Sequence, residues 1–134
     1  MVNSVSYYAG SYAFNGWLYA YTPNTTLSNS LAMPTSQASY ILLPKGWKPS
    51  VPLFCDSVWI ETFPTSKDTY AANLQPSMTT PGMGNICINR HHRAINVVFL
   101  DGSASTTQLQ DLWNLPWSTN YTPPATPVVV PLVP

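Results

Sequence analysis

Residues 89–113, NRHHRAINVVFLDGSASTTQLQDLW, decide how this chain folds. The run Ala94-Ile95-Asn96-Val97-Val98-Phe99-Leu100 concentrates β-branched and aromatic residues and predicts an extended strand. Asp101-Gly102 then turns the chain, because glycine accepts a positive φ without steric cost and aspartate hydrogen-bonds back into the turn. Ala104 to Thr107 is expected to return antiparallel. Leu109, Leu112 and Trp113 recur at i, i+3 and i+4 around Asp111, the spacing of one short helical turn laid over a sheet. A polar knot, Arg90, His91, His92 and Arg93, precedes the strand.

Working outward, Val51 to Ile60 (VPLFCDSVWI) is the second strongly apolar segment. Its near-continuous hydrophobicity predicts a central strand covered on both faces, with Pro52 at its start and one acid, Asp56, inside it. Residues 3–22 space Tyr8, Tyr12, Phe14, Trp17, Tyr19 and Tyr21 mostly by two, predicting two strands joined at Asn15-Gly16. Residues 22–39 read as a loop, and 39–43 (SYILL) as a short strand ended by Pro44. Residues 61–85 form a long irregular stretch, of the kind that often carries function or a contact surface. The expected fold is mainly β, a single antiparallel sheet with one short C-terminal helical turn and long loops. Residues 1–122 form the globular domain, and the Pro/Val-rich residues 123–134 an extended tail.

The chain has 134 residues, enough for one domain with a core. Only 7% are charged, against roughly 25% in an average soluble protein. Five basic and five acidic residues give a formal charge of zero, so there is no basic footprint for nucleic acid or anionic lipid. Weak self-repulsion suits a subunit meant to associate. No apolar run is long enough to span a membrane, and MVNSVSYYAG lacks the charged and apolar regions of a signal peptide. Composition and the two cysteines favour export all the same, so Met1 is expected to open a piece of a longer exported chain.

Asp56, Arg90, His91, His92, Arg93 and Asp101 are the polar residues that chemistry would draw on. Asp56, His91 or His92, and Asp101 would make a His and carboxylate set for a divalent metal. Against that, adjacent histidines on a strand face opposite ways and the arginines repel a cation, so a structural network tying His91 or Arg90 to Asp101 or Asp56 is the competing expectation. Cys55 and Cys87 each read as strand residues, either bridged by a cross-strand disulfide or buried as free thiols. The sequence carries no Gly-x-Ser-x-Gly elbow, phosphate loop, His-Glu-x-x-His or Cys-x-x-Cys, and Glu61 is its one glutamate. A Cys–His pair from Cys55 or Cys87 with His91 would need a cysteine lifted out of the sheet. No enzymatic role and no cofactor are expected. Trp17 with neighbouring tyrosines offers a stacking platform for glycan, or else core. The tail, with Val128, Val129, Val130, Leu132 and Val133, docks on its own domain, docks on a neighbouring subunit as an assembly surface, or stays disordered.

Nine residues separate His91 from Asp101-Gly102. That spacing resembles the H-x9-D-G signature of the prepilin-type processing-associated family, pilin-like and pseudopilin-like proteins of the planctomycete type. Gly10 to Trp17 (GSYAFNGW) is similar to the family's SYxxNGW segment, Val51 to Glu61 to its PLFxDxxW strand, and Leu109 to Trp117 to its closing LxxLWxLxW. These four ordered segments cover most of residues 10–117. The resemblance implies a globular head built on an antiparallel sheet, in a non-enzymatic subunit of an extracellular pilus-like or secretion-related filament at the cell surface. Its partners would be further copies of itself or other pilin-like subunits. Family members normally precede the head with an apolar helix that anchors and polymerises the subunit; no such helix stands in these residues, which leaves the tail as a candidate for assembly. Some pseudopilins hold a calcium ion in a C-terminal loop, but Asp101 alone offers no oxygen cage. Within the motif, His91, Asp101, Gly102, Asp56, Arg90 and Trp113 are expected to keep the strands in register. The alternative reading is a cell-surface binding module for glycan or cell-wall polymer.

Overall fold

The computed structural model of the chain describes residues 12–18, 48–75 and 82–131. Five strands, β1 (Tyr12–Asn15), β2 (Pro52–Asp56), β3 (Glu61–Thr62), β4 (Ala94–Phe99) and β5 (Ala104–Gln108), make one sheet in the order β3-β1-β2-β4-β5. All pairings are antiparallel except β1 with β3, which is parallel. The fold is therefore mainly β and largely antiparallel, as the sequence predicts. A short helix α1 (Met83–Ile86) and two 3-10 segments, Gly16–Leu18 and Leu109–Asn114, complete the described elements.

The β4–β5 hairpin forms where its sequence places it, with Val98 opposite Ala104 and Ala94 opposite Gln108. Its loop is three residues, Leu100 to Gly102, closed by Gly102 N–H donating to Phe99 O at 3.0 Å and Phe99 N–H to Ser103 O at 2.9 Å. Gly102 sits at φ 82°, where a side chain is strained. The helical turn after β5 is 3-10 rather than α, yet it buries the expected Leu109, Leu112 and Trp113.

The core lies against one face of the sheet. Ala13, Cys55, Ile95 and Val97 point into it, and Met83, Ile86, Leu109, Leu112, Trp113 and Trp117 cover them. Buried indoles need an acceptor for their N–H, and each core tryptophan finds a carbonyl: Trp17 at Pro64, Trp113 at Asp68, Trp117 at Leu112. Trp17 and Phe63 meet edge to face, 5.4 Å between centroids. A Cβ on Gly16 would run into that Phe63 ring, so the Asn-Gly-Trp segment requires glycine for close approach.

Several expectations are corrected. Asn15-Gly16 does not turn the chain into a hairpin: β1 runs into a 3-10 turn and pairs with β2 and β3, both distant in sequence. Residues 19–47, with the short strand expected at 39–43, lie outside the described residues. β2 ends at Asp56, and among the described residues α1 and the C-terminal turn cover one face alone, leaving Phe54 on the other 43% exposed. The stretch 61–85 contributes β3 and α1. Cys87 follows α1 instead of lying in a strand.

Candidate functional site

The four ordered motif segments supply β1, β2, β4 and the C-terminal cap, and a side-chain contact between Asp56 and His91 joins two of them. Asp56 ends β2 opposite Asn96 of β4. Its Oδ2 accepts the Asn96 backbone N–H at 2.7 Å and lies 3.1 Å from His91 Nε2, while Arg90 stands 3.9 Å from Oδ1. The Asp56 side chain is 4% exposed and that of His91 49%. With its ring proton on Nε2, His91 donates to a carboxylate that burial would otherwise leave short of partners. The Asn96 amide nitrogen sits 3.2 Å from the same ring atom, and Thr106 Oγ1 donates to Asn96 Oδ1 at 3.0 Å. The result is a lateral polar row, Asp56–Asn96–Thr106, across β2, β4 and β5, capped by His91.

The backbone that delivers His91 is not a strand. His91, His92 and Arg93 take φ of 43°, 57° and 67°, and Ala94 N–H bonds back to Arg90 O at 2.9 Å, giving one turn of left-handed helix. Such a turn costs on the order of 1 kcal/mol or more at each L-residue, so neighbouring contacts must hold it. They are Asn89 Oδ1 accepting from Arg93 N–H, Arg93 O accepting from Leu109 N–H, the Asp56–His91 contact, and Arg93 Nη2 donating to Val130 O at 2.7 Å. The expectation that His91 and His92 face opposite sides of a strand is thereby replaced: both are exposed turn residues.

Asp101 is elsewhere. It stands at the far end of β4, where its Oδ1 accepts the Ser103 hydroxyl and backbone N–H at 2.6 and 2.9 Å. These bonds, the hydroxyl's first, hold its carboxyl below the usual carboxylate range. The metal set of Asp56, His91 and Asp101 is therefore not assembled, and among the described residues no cluster of three metal-ligating side chains occurs.

Cys55 and Cys87 are free and buried, so of the two alternatives the free thiols hold and the cross-strand bridge does not, since Cys87 does not enter the sheet. Burial, with a smaller push from Asp56, drives the Cys55 thiol far up, and burial alone pushes Cys87 up to about 12. Neither is a thiolate near neutral pH. Cys55 points to the core face, whereas its neighbour Asp56 and the His91 bound to it lie on the other, so sheet alternation separates the Cys–His pair.

The tail packs on its own domain as far as the structure describes it. Val130 is buried and Val128 partly buried against the core, Tyr70 Oη donates to Val129 O at 2.7 Å, and Val129 points outward, 80% exposed. Leu132 and Val133 lie outside the described residues. Of the proposed assembly residues, Val128 and Val130 thus serve the fold of their own chain. Trp17 is buried in the core, as the core alternative of its two readings has it, and is no stacking platform. Among the described residues the exposed aromatics are Tyr12, Phe54 and Trp59, of which Tyr12 and Phe54 stand on the face of the sheet that carries the polar row.

Sequence reasoning missed the part played by Asn15. Buried, it donates from Nδ2 to Pro52 O at 2.9 Å and Trp117 O at 3.0 Å and accepts from Trp17 N–H, joining three of the motif segments. Its place in Asn-Gly-Trp was the signal, read as a turn. Among the described residues no helix is long and apolar enough to cross a membrane. Comparison of the chain with protein-family models, curated proteins and solved structures finds no match.

Proposed function

We propose that the chain is a non-enzymatic structural subunit, a pilin-like or pseudopilin-like head in an extracellular pilus-like or secretion-related filament, with copies of itself or other pilin-like subunits as partners. One observation carries the reading: the residues of the four resembling segments are spent on the fold. Asn15 joins β1 to the start of β2 and to Trp117, Asp56 anchors His91 over β4, and Asp101 sets the turn at the other end of that strand. Residues placed in this way keep a head domain rigid. Near-zero net charge over a surface poor in charged side chains favours close packing between subunits.

A second reading has its own support. Tyr12 (63% exposed) and Phe54 (43%) stand on adjacent strands of the open sheet face, with the amide of Asn96 and the hydroxyl of Thr106 further along it. Flat aromatic surface beside neutral hydrogen-bonding groups suits the stacking of a sugar ring, so a neutral cell-wall glycan is the alternative ligand. Negative-stain microscopy of the purified chain with retention on a polysaccharide column separates the two. Regular fibres without retention support the subunit reading. Dispersed particles that are retained, and lose retention with Tyr12→Ala and Phe54→Ala, replace it with the binding module.

A further inference from the structure

We propose that β5 is an association edge at which two copies of this chain pair antiparallel, joining their sheets into one. The hydrogen bonding of the hairpin fixes which backbone groups are available. Phe99 N–H bonds to Ser103 O at one end and Leu109 N–H to Arg93 O at the other, and bonded pairs alternate along an antiparallel ladder. The pairs bonded to β4 are therefore those of Ser105 and Thr107. Ala104, Thr106 and Gln108 turn their N–H groups outward, with the carbonyls of Ala104 and Thr106, on an edge that meets no further strand among the described residues.

Unused edges are ordinarily protected by charge, proline, a bulge or a covering element. β5 has none of the first three: Ala-Ser-Thr-Thr-Gln is uncharged, pairs with β4 in unbroken register, and four of its five residues are exposed. No charged residue lies between Asp101 and Asp111.

The geometry favours a second copy over an unrelated peptide because the strand complements itself. A two-fold axis through Thr106 sets Thr106 against Thr106 of the second copy, where the two exchange a pair of backbone bonds. Each Gln108 N–H then meets the Ala104 carbonyl of the other chain. Four backbone bonds form, and a threonine pair, one of the favourable cross-strand combinations, stands at the centre. Zero formal charge on the chain leaves no net repulsion to oppose the approach. A contact of this symmetry closes on itself as a dimer, so it goes beyond the filament reading and holds whether or not pairs assemble further.

Sedimentation equilibrium on the whole chain, with residue-resolved amide exchange, tests the pairing. The expected result is a concentration-dependent dimer in which the Thr106 and Gln108 amides slow as dimer forms, while those of Ser105 and Thr107 are protected at every concentration. Thr106→Lys, which sets like charges face to face, is expected to return a folded chain to monomer mass. Thr106→Pro, which removes an outward N–H and no bond to β4, is expected to do the same. Ala104→Glu combined with Gln108→Lys, which brings opposite charges together across the axis, should still dimerise. A chain monomeric at all concentrations, a Thr106 amide indifferent to concentration, or a Thr106→Lys variant dimerising like the parent would each overturn the proposal. Should both Thr106 variants fail to fold, the exchange pattern of the unaltered chain decides alone.

Discussion

His91 Nε2 lies 3.1 Å from Asp56 Oδ2, and the same oxygen accepts the backbone N–H of Asn96. One buried carboxylate thus fastens the left-handed turn of residues 91–93 to the sheet and takes the place of a strand carbonyl where β2 ends. Asp56→Ala removes both bonds and leaves the Asn96 N–H without its acceptor. It is expected to destabilise the fold by about 2 kcal/mol, read from the midpoint of urea unfolding. A midpoint equal to the parent's would show that the carboxylate contributes nothing to stability.

The left-handed turn makes a prediction of opposite sign. His92 is exposed, its side chain makes no bond among the described residues, and its φ is 57°. Glycine adopts that conformation freely, and the relief exceeds the extra entropy that glycine loses on folding. His92→Gly should stabilise the protein by about 0.5–1 kcal/mol, seen as a raised melting temperature. A fall of similar size would mean that the turn is held by the imidazole.

The thiols give a pH dependence. Cys87 keeps its proton up to about 12 in the fold, against an ordinary value of 9.0 in the unfolded chain. Between those values the folded state binds the extra proton, so its contribution is fully present below about pH 9 and is lost as pH rises towards 12. Unfolding followed across that range should show an alkaline loss of stability that is shallower in Cys87→Ala. At neutral pH both thiols should resist a disulfide reagent until the protein unfolds; rapid labelling of the folded chain would contradict their burial.

Much of this was legible in the sequence, but unevenly. The β4–β5 hairpin and its cap are local patterns, a β-branched run, Asp-Gly, and apolar residues at i, i+3 and i+4, so short-range rules suffice. The left-handed turn carries no glycine; Asn89-Arg-His-His-Arg adopts it because Asp56, Leu109 and Val130, all remote in sequence, hold it there. Asn15-Gly16 is a sound hairpin signal overridden by packing, since Asn15 gains more by joining Pro52 and Trp117 than by turning the chain. β3 is two residues long and pairs in parallel, too short to leave a periodicity. Of the candidate site, the Asp56–His91 contact was readable as a network, whereas the separation of Asp101 from it depends on strand length.

Docking of the tail can be measured through one residue. Val130 is buried and Val129 exposed, so Val130→Ala should cost about 1.5–2 kcal/mol and Val129→Ala almost nothing. Arg93→Ala removes the bond to the Val130 carbonyl and should expose the tail to proteolysis at residues 122–127 without unfolding the sheet. Equal effects at Val129 and Val130 would contradict the observed packing.

His91 and Asp101 serve the sheet from opposite ends of β4. They share no partner, since His91 contacts Asp56 and Asn96 and Asp101 contacts Ser103, and a strand of this length sets them roughly 20 Å apart. Effects at such separation add. The deciding measurement is the stability of His91→Ala, Asp101→Ala and the double variant by urea unfolding. Each single variant is expected to lower the midpoint, and the double variant to lose the sum of the two. Variants as stable as the parent that have lost assembly or ligand binding would contradict that expectation, and would make the two residues parts of a functional surface.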